Sequence, residues 1–143
     1  MGASEVAVEM VVTAARAASE LKATSIAAID VSERLVLTDA FVVISGSTER
    51  QVRAIVDAVE EAVEKSGHQR KRREGLDGEA HWVLLDFGEI MVHVQQDEDR
   101  EFYALEKLWA DCPAIELPED VNVEGEYQQS SLSQYFDFSD LGN

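Results

Sequence analysis

Residues 82–94, with the sequence WVLLDFGEIMVHV, constrain the fold of this chain most. The run is mostly apolar and contains one glycine, Gly88, so it predicts a β-hairpin that turns at Phe87-Gly88. In that register Leu85 lies opposite Ile90, and successive side chains point to opposite faces of the hairpin. The segment therefore needs two different environments, one for each face.

The two faces of this hairpin differ in composition. The first is uniformly aliphatic and is predicted to be core; it comprises Val83, Leu85, Ile90, Val92 and Val94. The second combines an aromatic ring, a thioether and a titratable ring; it comprises Trp82, Leu84, Met91 and His93. Because interface centres favour aromatic residues and Met over charged residues, the second face is predicted to bind a partner. Arg100 and Tyr103, on the helix predicted to follow, are placed in the same candidate site.

The length and composition indicate one folded domain. The 143 residues are 45% hydrophobic, and no apolar run approaches the ~20 residues that a membrane-spanning helix needs. The N-terminal sequence MGASE has no basic segment ahead of an apolar one, so a secretory signal is not expected. Cys112 is the only cysteine, which fits a reducing compartment and excludes a Cys-rich zinc site. We therefore expect a cytoplasmic protein.

The net charge of −17 limits the kind of partner. Binding to phosphates depends on Lys and Arg, which release counterions, so this charge favours a basic protein over nucleic acid. A third of the basic residues nevertheless lie together in Arg70-Lys71-Arg72-Arg73. This cluster is interpreted as a solvated edge strand in preference to an RNA site, and both interpretations stay open.

The order of predicted elements is αββαβββα. The first helix follows Ser4, with Val8, Val11, Val12, Ala15 and Leu21 on its apolar side. Strands are predicted at 26–31, 41–44 and 70–74, and the hairpin supplies two more. A second helix begins after Thr48, whose TERQ sequence has the form of a capping box, and a last helix covers about 100–110. This pattern predicts an α/β protein of the mixed α+β kind, with a mixed sheet of about five strands and helices packed on it.

Residues 117–143 differ from the rest of the chain. From Pro113 onward there are seven acidic residues and no Lys or Arg, and this low hydrophobicity with high charge is typical of disorder. Four apolar residues allow a short docking helix as the alternative; they are Tyr135, Phe136, Phe138 and Leu141. We expect a folded domain over 1–116 and a disordered acidic tail over 117–143.

Residues 45–48, Ser-Gly-Ser-Thr, lie between a predicted strand and a predicted helix, where backbone amides can hold a phosphate. Nucleotidyltransferases use a similar Gly-Ser opening, with two metal-binding carboxylates on the following strand. The nearest pair here is in Asp97-Glu98-Asp99, at a predicted helix start, where the helix dipole already explains acidic residues. A turn followed by a helix cap is therefore the preferred interpretation.

Histidine and cysteine give no further catalytic or metal site. His81 and His93 fall on opposite faces of the predicted hairpin and cannot share an ion. Cys112 has no histidine near it in the predicted order of elements. The sequence thus predicts no catalytic residue, no metal and no cofactor.

Taken in order, several segments resemble the ribosomal silencing factor family, also called Iojap-like or RsfS. The matching segments are 30–31, 37–44, 45–52, 74–75, 82–88, 92–94 and 100–109. The resemblance implies a nucleotidyltransferase-like fold that has lost its catalytic carboxylates, and thus a protein that is not an enzyme. It also implies binding to protein fourteen of the large ribosomal subunit, which blocks subunit joining and represses translation when nutrients are short. Trp82 is the aromatic residue of the contact surface in this resemblance.

Two further expectations accompany this assignment. The uncovered apolar face predicts a homodimer in the absence of the ribosome, since soluble monomers seldom expose large apolar patches. The alternative function is a nucleotidyltransferase-like enzyme or another nucleotide-binding protein, which clustered carboxylates near Ser47 would favour.

Overall fold

The computed structural model describes residues 2–99, 107 and 109–121. The elements in chain order are α1 (Glu5–Glu20), β1 (Ser25–Asp30), β2 (Ala40–Gly46), α2 (Glu49–Lys65), β3 (Arg72–Glu74), β4 (Trp82–Asp86) and β5 (Ile90–Gln96). They match the first seven predicted elements, whereas the last helix, predicted at about 100–110, lies mostly outside the described residues. Neither described helix has the length and apolarity to cross a membrane.

The five strands form one mixed sheet with the spatial order β1-β2-β5-β4-β3. β2 and β5 are parallel, whereas the other neighbouring strands are antiparallel. A parallel pair needs a long crossover, and α2 lies within the crossover from β2 to β5. The predicted mixed sheet of five strands with helices packed on it is therefore confirmed.

α2 forms as its sequence predicts. The Thr48 hydroxyl accepts a hydrogen bond from the backbone N–H of Gln51 at 3.1 Å and so caps the first turn. The helix ends at Lys65, just before the predicted Ser66-Gly67 stop. The five positions predicted to face the core are all buried: Val52, Ile55, Val56, Val59 and Val63.

The buried face of α1 differs from the prediction. Val11 and Ala15 are buried as expected, but Val8 and Val12 are only half-buried and Leu21 is the C-terminal cap. The buried side chains are mostly small: Ala7, Met10, Val11, Ala14, Ala15, Ala17 and Ala18. Small side chains let α1 lie close to the sheet and to α2, so the buried stripe centres on alanines. The prediction named only one of these alanines, Ala15, and therefore misplaced part of the stripe.

The hairpin of β4 and β5 has the predicted faces in a different register. Leu85 lies opposite Val92, not Ile90, and Gly88-Glu89 forms the turn in place of Phe87-Gly88. The turn is fixed by the positive φ of Gly88, +86°, and by the side chain of Asp86, which accepts from the Gly88 N–H at 2.8 Å. The register differs by two residues, and side chains alternate with a period of two, so every residue keeps its predicted face.

The two faces of the sheet bury different clusters. α1 and α2 cover one face, and the aliphatic side of the hairpin is fully buried there. The opposite face has a smaller buried cluster of Ile29, Val31, Phe41 and Val43. Half-buried residues pack around this second cluster: Leu35, Trp82, Met91, Trp109 and Cys112. The face predicted to bind a partner therefore lies outside the main core.

Residues 113–121 cover one edge of the sheet and reach α1. The Asp30 N–H donates to the Pro113 carbonyl at 2.8 Å along the outer edge of β1. Further on, Asp120 pairs with Arg16 at 2.9 Å, and Leu117 and Val121 pack against the main core. The predicted boundary at residue 116 stays a prediction, and residues 122–143 lie outside the described part of the chain.

β3 forms the other edge, as predicted, and carries part of the basic cluster. Arg70 and Arg73 both pair with Glu60 of α2, at 2.5 and 3.1 Å. Arg72 pairs with Glu74 at 3.1 Å. Three of the four bases thus have carboxylate partners within the fold, which reduces the charge that they offer to phosphate.

Candidate partner-binding surface

Three side chains predicted to bind a partner lie together on the second face of the hairpin. Trp82 and Leu84 project from β4 and Met91 from β5, and each is half-buried. Leu84 lies opposite His93, and Met91 lies opposite Asp86, so Leu84 and Met91 are diagonal neighbours. We call Trp82, Leu84 and Met91 the Trp82 surface.

His93 lies behind the Trp82 surface. Its side chain is only 8% exposed, and its ring meets Phe41 edge-on with 4.9 Å between centroids. The indole N–H of Trp82 donates to Nδ1 of His93 at 3.2 Å. The sequence placed His93 within the contact face, whereas the structure buries its ring and hydrogen-bonds it to Trp82.

The protonation state of His93 follows from its burial. Burial penalises the charged imidazole and lowers the pKa of His93 to about 4. The ring is therefore neutral at pH 7, and Nδ1 is free to accept from Trp82 while the proton sits on Nε2. Within the described part of the chain, no group accepts from Nε2. His93 thus serves as a fixed hydrogen-bond acceptor beneath the indole of Trp82.

The remaining predicted site residues, Arg100 and Tyr103, lie outside the described residues, so their part in the surface stays a prediction. Trp109, from the same predicted helix, packs edge-on against Phe41 with 5.1 Å between centroids. The Arg34 guanidinium lies 5.0 Å from the Trp109 ring centroid and pairs with Asp111 at 2.7 Å. These contacts attach residues 109–111 to the second face of the sheet.

In the loop that follows β2, the donors of Ser47 are hydrogen-bonded to the side chain of Gln51. Oε1 of Gln51 accepts from both the backbone N–H and the hydroxyl of Ser47, at 2.6 and 3.1 Å. The amide nitrogen of Gln51 donates to the carbonyls of Leu21 and Lys22, at 3.1 and 3.0 Å. Gln51 therefore joins the start of α2 to the end of α1 and takes the Ser47 donors that a phosphate would need.

Three carboxylates lie at the same end of the sheet as Ser47, which sequence spacing did not reveal. Gly46 and Gln96 are partners in the parallel β2–β5 pair, so Asp97 follows beside Ser47. The Asp97 carboxylate accepts a short hydrogen bond from the Thr24 hydroxyl. This placement is the feature expected of the nucleotidyltransferase alternative, but Asp97 and Ser47 are each already hydrogen-bonded to other side chains.

The other two carboxylates, Glu98 and Asp99, lie beside His81, which also meets Glu79. Nδ1 of His81 lies 2.9 Å from Asp99 and Nε2 lies 3.0 Å from Glu79. The hydrogen bond to Asp99 raises the pKa of His81. Ligand atoms of His81, Glu98 and Asp99 lie within 4.8 Å of one another, so this group is the candidate for cation binding among the described residues. Both ring nitrogens already face carboxylates, however, and such contacts favour the protonated form of His81.

One exposed feature was missed at the sequence level. Val36 and Leu37, in the loop between β1 and β2, are 99% and 85% exposed. The sequence signal was present, since Leu35-Val36-Leu37 is an apolar triplet within a loop, but only tertiary structure shows which of the three turns inward.

Comparison with known proteins agrees with this fold. The family model described as "Ribosomal silencing factor during starvation" matches residues 4–137. The ribosomal silencing factor RsfS of Bacillus subtilis is 38% identical over 104 residues, covering 73% of this chain and 87% of the relative. The mouse mitochondrial assembly of ribosomal large subunit protein 1 is 34% identical over 126 residues, covering 78% of this chain and 54% of the relative.

A crystal structure from Bacillus halodurans has the same fold, with a TM-score of 0.66 and 35% identity. The match covers 76% of this chain and 98% of the Bacillus halodurans chain. The family model spans most of the chain. The Bacillus subtilis relative is 38% identical and is matched over 87% of its length. The chain therefore belongs to the ribosomal silencing factor family.

Proposed function

We propose that this protein binds protein fourteen of the large ribosomal subunit and thereby blocks joining of the two subunits. The observation that carries the proposal is the Trp82 surface, an apolar face that no described helix covers. The indole of Trp82 is held by its hydrogen bond to His93. A rigid, half-exposed aromatic residue is typical of residues that dominate binding energy at interfaces. Repression of translation under nutrient limitation would follow from the block.

The charge of the chain supports a basic protein as the direct partner. The net charge is −17, and three of the four residues in the basic cluster are paired within the fold. Little charge is therefore offered to ribosomal RNA, whereas ribosomal proteins supply basic surface. We infer that direct contact with nucleic acid is minor and that the protein acts in the cytoplasm.

We propose further that the protein is not an enzyme. Gln51 occupies the Ser47 donors, and Asp97 and Asp99 are engaged by Thr24 and His81. Nucleotidyl transfer needs metal-held charge at the reacting oxygens, so these contacts would have to break before the loop could act. The carboxylates near Ser47 are the observation that favours an enzyme. Nucleotide transfer is therefore the alternative function to test.

A homodimer in the absence of the ribosome is also proposed. A second copy would cover the Trp82 surface and remove apolar area from water. Self-association would then compete with the ribosome for the same face.

Cosedimentation with purified subunits tests the main proposal. The full chain is expected to pellet with large subunits and not with small subunits. Pre-incubation with large subunits should also reduce the light scattering that accompanies subunit joining. Pelleting without any effect on joining would contradict the proposed block.

A further inference from the structure

The loop between β1 and β2 holds two apolar side chains out into solvent. Val36 is 99% exposed and Leu37 is 85% exposed, whereas the third exposed large hydrophobic residue of the described chain, Val6, is 44% exposed. Two adjacent side chains of this kind are unusual on the surface of a folded domain, because exposed apolar groups are normally scattered singly. We call Val36 and Leu37 the loop tip.

The loop is held by hydrogen bonds on both sides of its tip. The Val31 N–H donates to the Asp39 carbonyl at 2.9 Å, and the Leu35 N–H donates to the Val31 carbonyl at 2.9 Å. Thr38 is only 2% exposed, and Leu35 packs against the second buried cluster. With Leu35 and Thr38 turned inward, Val36 and Leu37 have no buried position to occupy. The tip is therefore presented by a supported backbone, which reduces the ordering cost of binding.

The tip and the Trp82 surface belong to the same side of the molecule. Leu35, directly before the tip, and Met91, within the Trp82 surface, pack against the same buried cluster. The Asp39 N–H also donates to the Glu89 carbonyl at 2.9 Å, which places the end of the loop two residues before Met91. The end of the loop therefore lies beside the start of β5, the strand that carries Met91.

The Trp82 surface alone is too small for a stable interface. An aromatic side chain buries about 150–250 Å², so three half-buried side chains of this size or smaller offer less than about 400 Å². A standard interface takes about 800 Å² from each partner. The interface must extend further, and towards β3 it meets the charged residues Arg72 and Asp86. On the Met91 side, the end of the loop that carries Val36 and Leu37 lies beside the start of β5.

We infer that the loop tip is a second apolar contact for the same ribosomal protein that the Trp82 surface binds. This inference rests on the proposed function and extends the surface assigned to it. Glu89 is exposed beside the loop, and Arg34 is paired with Asp111, so the surroundings of the tip are acidic. The matching partner surface is an apolar depression with a basic rim, which suits a ribosomal protein better than a second copy of this acidic chain.

The test is a double variant, Val36→Ser with Leu37→Ser, compared with Val6→Ser as the matched control on α1. Both variants replace exposed apolar side chains, so neither should lower the melting temperature by more than about 2 °C. The double variant is expected to bind purified large subunits at least tenfold more weakly than the natural chain. The control should bind within twofold of it.

The outcomes separate this inference from the proposed function. If the double variant binds normally while Trp82→Ala binds weakly, the loop inference is overturned and the proposed function stands. If the double variant loses only self-association in sedimentation equilibrium, the tip binds a second copy and the inference is overturned. If the natural chain itself does not bind large subunits, both fail. Tenfold weaker binding of the double variant to isolated protein fourteen would place the contact on that protein.

Discussion

Replacing Trp82 by alanine should weaken binding to the large subunit more than it weakens the fold. Trp82 is half-buried at the edge of the second cluster, whereas Leu85, on the opposite face of the same strand, is fully buried. Leu85→Ala leaves a cavity under the helices and should cost about 2–5 kcal/mol of the free energy of unfolding. Trp82→Ala removes fewer buried contacts, together with the hydrogen bond to His93, so about 1–2 kcal/mol is expected.

The binding effects should have the reverse order. Loss of an aromatic hot spot costs 2 kcal/mol or more, which is roughly thirtyfold in the dissociation constant. Leu85→Ala should leave binding by the folded fraction nearly unchanged. Melting temperature and cosedimentation with large subunits, measured on both variants, give the two quantities.

Trp82→Phe separates the two contributions of the indole. The variant keeps an aromatic ring but cannot donate to Nδ1 of His93, so its binding should fall between that of the natural chain and that of Trp82→Ala. The reasoning would be refuted if Trp82→Ala melted as low as Leu85→Ala while its folded fraction bound normally. Trp82 would then be a core residue, and the contact surface would lie elsewhere.

Four further predictions follow from other parts of the structure. In an NMR titration, the pKa of His81 should lie above its usual value of about 6.5 and that of His93 near 4. The contact of His81 with Asp99 should stabilise the fold below pH ~6.5, and this stabilisation should be lost as the pH rises through the folded-state pKa of His81. Equal pKa values for the two rings would contradict this prediction. A chain truncated after Val121 should keep both its melting temperature and its binding to large subunits, and loss of binding with an intact fold would assign the acidic tail to the interface. Magnesium-dependent transfer of label from a nucleotide should be absent, and transfer that Ser47→Ala abolishes would establish the alternative function. Sedimentation equilibrium at about 10–100 μM, a range that reveals a dimer held by about 6–7 kcal/mol, should detect a dimer that Trp82→Ala weakens, whereas a monomer throughout would exclude it.

The faces of the hairpin could be predicted from the sequence because they depend only on alternation. The register could not, because it depends on the turn, where the Asp86 side chain and the positive φ of Gly88 decide which two residues form the loop. Phe87 carried the information on register that the prediction missed. It continues the buried alternation of Val83 and Leu85 and is only 3% exposed, so it packs in the core and does not form the turn.

Other features depended on contacts between distant segments. The carboxylates at 97–99 meet Thr24 because β2 and β5 are parallel neighbours, and they meet His81 because β4 pairs with β5. Gln51 was expected to complete a capping box with Thr48, but its side chain reaches Ser47 and the end of α1 instead. Neither outcome is encoded in local spacing, because each requires the sheet order or the packing of α1 on α2.

The two edges of the sheet limit how copies of this protein can associate. One edge, β1, is already paired with the segment that follows Pro113, and the other, β3, is three residues long and charged. A second chain therefore has little free backbone on which to extend the sheet, which also protects the protein from strand-by-strand aggregation. If the proposed dimer forms through side chains of the Trp82 surface, a dimerised molecule is a stored, inactive one. The cellular concentration of the protein would then set how much of it is available to ribosomes.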